Sequence, residues 1–511
     1  MNKLALVYND DGTQAMAHVQ LGRVRAGVEE WADMILATPV DTYVLTVAHP
    51  EICYYDTRVG ERFGARSEQM FAVPFQWHMS RAHDELASEG TDLLRLVLER
   101  VHQRGRTFLA SVRMSDAHHA YGPGYPLDPF FPQWTQDHPE CRMKRPDGTL
   151  EVVLDYNEAA VRDHRLAIVR EIVETYPVDG LELDFMRFCR HFPRPATGEQ
   201  IALMTDFIHE VRRLLDHAAR PRGATNRLIL GVRVPQTLAE CAPNGLDPAT
   251  WATERLIDYV APANFLWVDL NVPLDDYLRI VAGTDCRALF PIQPWSAAPW
   301  SEETRAYSVG FPVQLPEFRA QAANGYAAGA HGLYAFNLCC ELPGRLPEIQ
   351  EALRVMADRT AVYQGPRHYQ FFPTDPGVCP TGANHRQALR FSPTSLGQAQ
   401  TFRFQIGEDQ REPGAGVGRL AWRIYNSVPS DRWSFRLNER PLDPQLVRAE
   451  FRPAGFSIRV GVELPSHMYF ELELSAAPAL RLRNVLEVVP TALETGFVAE
   501  RCLEVLELWA D

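Results

Sequence analysis

Two periodicities divide the chain. Up to about residue 360, short apolar runs alternate with stretches whose apolar residues recur at i, i+3, i+4 and i+7, the spacing of one helix face. LALVY (4–8), TYVLTV (42–47), TFLASV (107–112), DGLELDF (179–185), LILGVRV (228–234), IDYVAPA (257–263), RALFPI (287–292) and GLYAFN (332–337) read as strands. Between them VRAGVEEWADMILA, TDLLRLVLERVHQR, AAVRDHRLAIVREIVETY and EQIALMTDFIHEVRRLLDHA read as amphipathic helices, followed by PLDDYLRIVA, LPEFRAQAANGYAAG and LPEIQEALRVMADR. Eight strands alternating with helices predict a (β/α)8 barrel. An open doubly wound sheet is the competing arrangement, but no GxGxxG or phosphate-loop motif follows a strand.

The barrel pattern is longer than eight βα units require, and two insertions account for the excess. One follows strand two at about 49–88; the other follows strand three at about 113–154 and carries RMSDAHHAYGPGYPLDPFFPQW. Both fall at carboxyl ends of strands, where βα loops build sites. Beyond residue 360 the period changes to two. TFRFQI, RLAWRIYN, RWSFRLN, FSIRVGVEL, YFELEL, NVLEVVP and CLEVLELWA, separated by turn residues, predict an antiparallel β-sandwich. The expected organisation is a barrel over 1–360 and a sandwich over 361–511.

Composition narrows the partners. The 511 residues are 46% hydrophobic and 23% charged, enough to bury a large core. A net charge of -14 without any long Lys/Arg run argues against nucleic acid or an anionic membrane surface. No apolar run reaches the roughly 20 residues of a membrane helix. The N-terminal MNKLALVYNDDG does not read as a secretory signal, and the nine Cys form no zinc-type CxxC pair; Cys339 and Cys340 are adjacent, a poor disulfide arrangement. A reducing cytoplasm is the expected compartment, and a homo-oligomer is an allowed state.

The candidate chemistry begins in VDGLELDFMR (178–187). Alternate side chains of a strand face opposite sides, so Glu182 and Asp184 share one face while Leu181, Leu183 and Phe185 share the other. The outer face of a parallel barrel packs on helices and must be apolar, so the two acids point inward, their Cα atoms about 6–7 Å apart. Arg187, Arg113 and Arg233 are inward or rim cations able to pair with them. Further polar groups close the other strands: Asn9 and Asp10, His49, Asn264, Gln293 and Asn337. Sugars present hydroxyls and apolar CH faces, which Asn, Gln, Arg and carboxylates with flat aromatic rings complement. Trp267 and Trp295 are the candidate platforms. His118, His119 and Asp116 lie in the second insertion; adjacent histidines point apart on an extended chain and no HExxH accompanies them, so they read as substrate-contacting or loop groups and not as metal ligands.

DGLELDFMRF resembles the strand-four signature of glycosyl-hydrolase-like bacterial barrels, in which DG-x-x-L-D is followed by Arg and an aromatic. GAHGLYAFN (329–337) resembles their strand eight, and RLN-x-x-PL and RNVLEV resemble segments of the β-sandwiches such proteins carry. The resemblance implies a (β/α)8 fold acting on a carbohydrate without a cofactor, with carboxylates at strand ends as catalytic groups: Asp184 first, Glu182 next. The chain departs from the largest clan of these hydrolases, since strand seven ends FPIQPW with no acid, and Met186 stands where a chitinase-like motif has its Glu. An α-galactosidase-like scheme makes Asp184 the nucleophile and Asp269 the acid. The expected function is glycoside hydrolysis. The rival readings are a sugar lyase or isomerase on the same barrel and a non-catalytic glycan-binding barrel.

Overall fold

The computed structural model describes residues 4–66, 70–118, 127–220, 227–264, 268–296, 300–301, 306–307, 311–338, 343–371, 389–409, 418–456, 463–464, 466–476 and 478–511. Within them the chain packs as two compact units. The first comprises residues 1–265, 273–291 and 331–353, and the second 266–272, 292–330 and 354–511.

Eight parallel strands form a closed barrel: β1 Leu6–Asp10, β2 Thr42–His49, β3 Thr107–Arg113, β4 Gly180–Asp184, β5 Ile229–Pro235, β6 Tyr259–Ala263, β7 Arg287–Ile292 and β8 Gly332–Phe336. Closure is direct, because β1 pairs in parallel with both β8 and β2. All eight coincide with the apolar runs of the sequence to within two residues at each end. The strands alternate with α1 Val24–Leu36, α2 Leu93–Gln103, α3 Ala159–Thr175, α4 Gly198–Ala219, α5 Pro248–Thr253, α6 Leu274–Val281, α7 Leu315–Ala327 and α8 Leu346–Met356. Their starts follow capping chemistry. Asp92 accepts the Arg95 N–H at 2.8 Å before α2, and Thr197 with Gln200 forms a capping box before α4. On α4 the buried residues Met204, Phe207, Ile208, Val211 and Leu215 follow the helical repeat.

The described parts of the two insertions belong to the first unit. After β2, Ile52–Cys53 turns back antiparallel along it, and a helix, Pro74–Ser88, follows. After β3, Arg142–Lys144 pairs with Leu150–Leu154 as a hairpin. The insertions meet where the Met70 N–H donates to the Leu127 carbonyl at 2.9 Å.

Besides three two-stranded pairs, the second unit contains two larger antiparallel sheets among the described residues. One has the order β9-β17-β12-β15-β14, with β10 also on β17: β9 Arg367–Phe371, β10 Leu389–Phe391, β12 Gly418–Tyr425, β14 Val447–Arg452, β15 His467–Glu473 and β17 Arg501–Ala510. The other pairs β11 Gln400–Gln405 with β16 Arg483–Ala492 and β16 with β13 Arg432–Leu437. Their apolar faces meet: the Trp422 and Phe435 rings lie 4.8 Å apart, and Phe435 and Phe470 4.9 Å apart. Most of the expected run FSIRVGVEL lies outside the described residues.

A buried ion cluster in this unit sets an expected pH dependence. His368 is held by Glu317 at 2.7 Å and Glu507 at 3.1 Å, Arg423 pairs with Glu507 at 2.6 Å, and Trp509 stacks on the imidazole at 4.3 Å. Burial opposes the imidazolium charge, but the two carboxylates outweigh it and raise His368 to about 9. Burial likewise opposes ionisation of Glu507, yet Arg423 and His368 bring it down to about 2. A raised histidine contributes stability that is complete below its unfolded pKa and lost as pH rises through the folded one. Denaturant unfolding followed by tryptophan fluorescence is therefore expected to show about 3 kcal/mol lost between pH 6.5 and 10. His368→Gln removes that dependence; a wild-type curve flat across the range would refute it.

Candidate active site

The inward face of β4 opens onto a polar barrel interior. The Glu182 carboxylate accepts four hydrogen bonds: Tyr259 Oη at 2.6 Å, Ser111 Oγ and Tyr334 Oη each at 2.9 Å, and Asn9 Nδ2 at 3.0 Å. These donors come from β6, β3, β8 and β1, so the side chain stands in the middle of the barrel, as strand parity requires. One glycine makes this possible. Glu182, Gly231 and Tyr259 occupy one register row across β4, β5 and β6. A Cβ on Gly231 would lie 1.9 Å from Tyr259 Cζ, so the bare backbone is what lets that ring reach across to the acid. Glu182 is wholly buried. Burial and the nearby Asp184 charge raise it to about 7 against the opposing pull of its hydroxyl donors.

Asp184 lies one inward step nearer the carboxyl end of β4, in the row Arg113–Asp184–Arg233. Arg233 Nη1 donates to both of its oxygens at 3.1 and 3.2 Å, and the Met186 N–H donates to Oδ1 at 2.9 Å. The guanidinium is fixed in turn. Its Nη2 donates to the Asn264 carbonyl at 2.8 Å, and it stacks over the Phe336 ring at 3.6 Å. Charge-assisted contacts of this kind are short and strongly directional, so they fix the orientation of the carboxylate.

Around this pair the ends of β1, β2, β3 and β8 carry a connected rim. Arg113 Nη1 donates to Asp116 Oδ2 at 3.1 Å and lies 3.2 Å from His49 Nδ1; Tyr54 Oη is 3.2 Å from the same nitrogen. His118 Nδ1 is 2.5 Å from Asp116 Oδ1, and its Nε2 is 2.8 Å from Arg187 Nη2. A guanidinium can only donate, so Nε2 is the acceptor and the ring proton sits on Nδ1, facing Asp116. Burial lowers His118, with Arg187 and Arg113 adding to the effect against the pull of Asp116. Burial would raise Asp116, but His118 and Arg113 overcome it and hold the carboxyl well below the usual range. Burial and the Arg113 charge push His49 well down as well. On the β1–β8 side, Asn337 Nδ2 donates to Asp11 Oδ2 at 2.8 Å.

Of the residues expected from sequence, Glu182, Asp184, Arg113, Arg187, Arg233, Asn264, Asn337 and His118 are thus gathered at one end of the barrel. Asp269, Gln293 and Trp295 fall in the second unit. There Asp269 accepts the Asn271 N–H at 3.0 Å, Gln293 exchanges backbone hydrogen bonds with the Gln321 side chain, and the Trp295 ring is buried. Trp267 and His119 lie outside the described residues. Among the described residues no three His, Cys, Asp or Glu side chains are grouped as metal ligands. Sequence reasoning passed over Tyr259, Tyr334, Ser111 and Gly231. Their signal was inward parity, since each sits in register with, or across the barrel from, the two acids.

The fold and this site define a (β/α)8 barrel with an arginine-held carboxylate at the carboxyl end of its fourth strand. No family model and no curated protein matches the sequence. Solved structures similar to the chain include a noncanonic maltogenic α-amylase from Thermotoga neapolitana, at 12% identity over 94% of this chain and 98% of that one, with a TM-score of 0.39. The glycoside hydrolase domain of PgaB from Bordetella bronchiseptica aligns at 11% identity over 70% and 99%, with a TM-score of 0.42. A cycloisomaltooligosaccharide glucanotransferase from Paenibacillus sp. aligns at 9% identity over 98% of this chain, with a TM-score of 0.34; the chain spans 57% of that protein's length.

Proposed function

We propose that the chain hydrolyses a glycosidic bond, with Asp184 as the ionised carboxylate that attacks the anomeric carbon or deprotonates the attacking water. The observation that carries this reading is the clamp of Arg233 on Asp184 at the mouth end of β4, which fixes a carboxylate in position inside a buried site. Glu182 is its electrostatic partner, a proton-holding group enclosed by four donors one step deeper. Arg113, Arg187 and Asn337 supply donors for sugar hydroxyls. The leaving oxygen must take a proton from a general acid, a role to which no residue of the barrel end is assigned. The partner is accordingly a carbohydrate, with no cofactor assigned. A panel of nitrophenyl glycosides and oligosaccharides, with products followed by proton NMR, is expected to show release of a reducing sugar; the anomer formed first distinguishes retention from inversion.

A second reading has its own support. His118 Nδ1 stands 2.5 Å from Asp116 Oδ1, a carboxylate–histidine pair that a sugar lyase or isomerase could use to abstract a proton next to a carbonyl once Nε2 is released from Arg187. The same NMR panel separates the two, since a lyase gives an unsaturated product and an isomerase gives no cleavage. Tight sugar binding without any turnover would sink both readings.

A further inference from the structure

A second cavity of about 670 Å³ lies in the first unit, walled by the insertion after β2, the start of α2 and the flank of α3, and it shares no residue with the site above. Two of its carboxylates are consumed by the frame. Glu171 accepts Tyr55 Oη at 3.0 Å, Thr57 Oγ1 at 2.6 Å and the Arg58 N–H at 2.6 Å. Asp92 accepts Tyr176 Oη at 2.6 Å, the Asp56 N–H at 3.3 Å and the Arg95 N–H that caps α2. Every one of these donors is neutral, so both acids stitch the walls together without neutralising a cation.

The lining arginines are left over. Arg62 gives one nitrogen to Asp84 at 2.8 Å, while its Nη1 is buried with no partner, as is the Thr91 hydroxyl. Arg58 and Arg170 are exposed and Arg95 lies over the Tyr176 ring at 5.0 Å; none of the three is in an ion pair among the described residues. Asp56 and Glu174 also line the cavity and are exposed. A buried guanidinium nitrogen without an acceptor is costly, and so is an unpartnered hydroxyl in the wall of the same cavity. Both want an acceptor with several oxygens, and a tetrahedral oxyanion is the group that arginines hold in bidentate fashion.

We propose that this cavity binds a phosphate group, free or carried by a small polar molecule, with Arg62 and Thr91 at its inner end and Arg58, Arg95 and Arg170 closing over it. The volume exceeds what a lone ion fills and suits a monosaccharide-sized body. The assignment stands whether or not the barrel mouth cleaves glycosides. Isothermal titration of the full chain with inorganic phosphate, glucose 6-phosphate, glucose and glucuronate tests it. Binding of a phosphate probe with a Kd below about 1 mM is expected, weakened about tenfold or more in Arg62→Gln and in Arg170→Ala. The exposed Arg170 keeps the test usable if Arg62→Gln does not fold. Equal affinity for phosphate and glucose 6-phosphate identifies the ion itself as ligand; tighter binding of the ester identifies a phosphorylated molecule. No heat from either phosphate probe, glucuronate binding as tightly as glucose 6-phosphate, or affinities unchanged in both variants would overturn the proposal.

Discussion

Asp184→Asn is expected to lower turnover of any glycoside the wild type cleaves by at least about a thousandfold, the scale on which loss of an essential nucleophile or base is felt. The substitution keeps the shape of the side chain and removes its charge, so the loss falls on kcat more than on KM. It also leaves the fully buried Arg233 without its carboxylate, and removing one partner of a buried pair costs about 3–5 kcal/mol. A dead variant could therefore be an unfolded one. The control is Asp184→Asn combined with Arg233→Met, which removes both charges from the row. It is expected to recover much of the melting temperature while staying inactive. A folded Asp184→Asn protein that turns over at the wild-type rate would remove Asp184 from the mechanism.

The two acids were legible before any coordinates because a barrel's exterior is obliged to be apolar. In DGLELDF the greasy positions claim the helix-facing side, which leaves Glu182 and Asp184 only the interior. The same logic placed all eight strands, since each is a short apolar run followed by a helical repeat. What surrounds the acids was harder to see. Tyr259 and Tyr334 sit in YVAPA and GLYAF, runs that read as uniformly apolar, so their hydroxyls counted as core. Gly231 carries no side chain to mark it in LILGVRV, yet that missing side chain is the passage through which Tyr259 reaches Glu182. Asp116 and His118 drew notice as a metal question, and only the fold shows that Arg113 and Arg187 join them to the end of β4. Strands β9, β10 and β14 were not among the runs read from the sequence; VRAEFR does alternate, but its Ala449 and Phe451 are exposed while Arg452 is buried.

Those hidden donors make Glu182 the residue on which barrel stability should turn. Glu182→Ala strips the acceptor from Asn9, Ser111, Tyr259 and Tyr334 together. Each buried donor left unsatisfied costs about 1–3 kcal/mol, and the sum approaches the whole stability of a domain, about 5–15 kcal/mol. This variant is expected not to accumulate as folded protein, judged by circular dichroism and gel filtration. Glu182→Gln keeps the size and one acceptor oxygen, and the hydroxyls can rotate to accept from its amide, so it should fold. The pair of proteins then reads the buried proton. A carboxyl raised from 4.5 to about 7 by burial and by Asp184 is held protonated by the fold. Its contribution is complete below pH 4.5 and is lost as pH rises through 7, about 3 kcal/mol in all. Glutamine does not titrate, so the stability of wild type relative to Glu182→Gln should fall by that amount between pH 4.5 and 8, measured by urea unfolding at each pH. A difference that stays constant over the range would mean that Glu182 is ionised throughout, and that the four donors stabilise a permanent charge at the barrel centre.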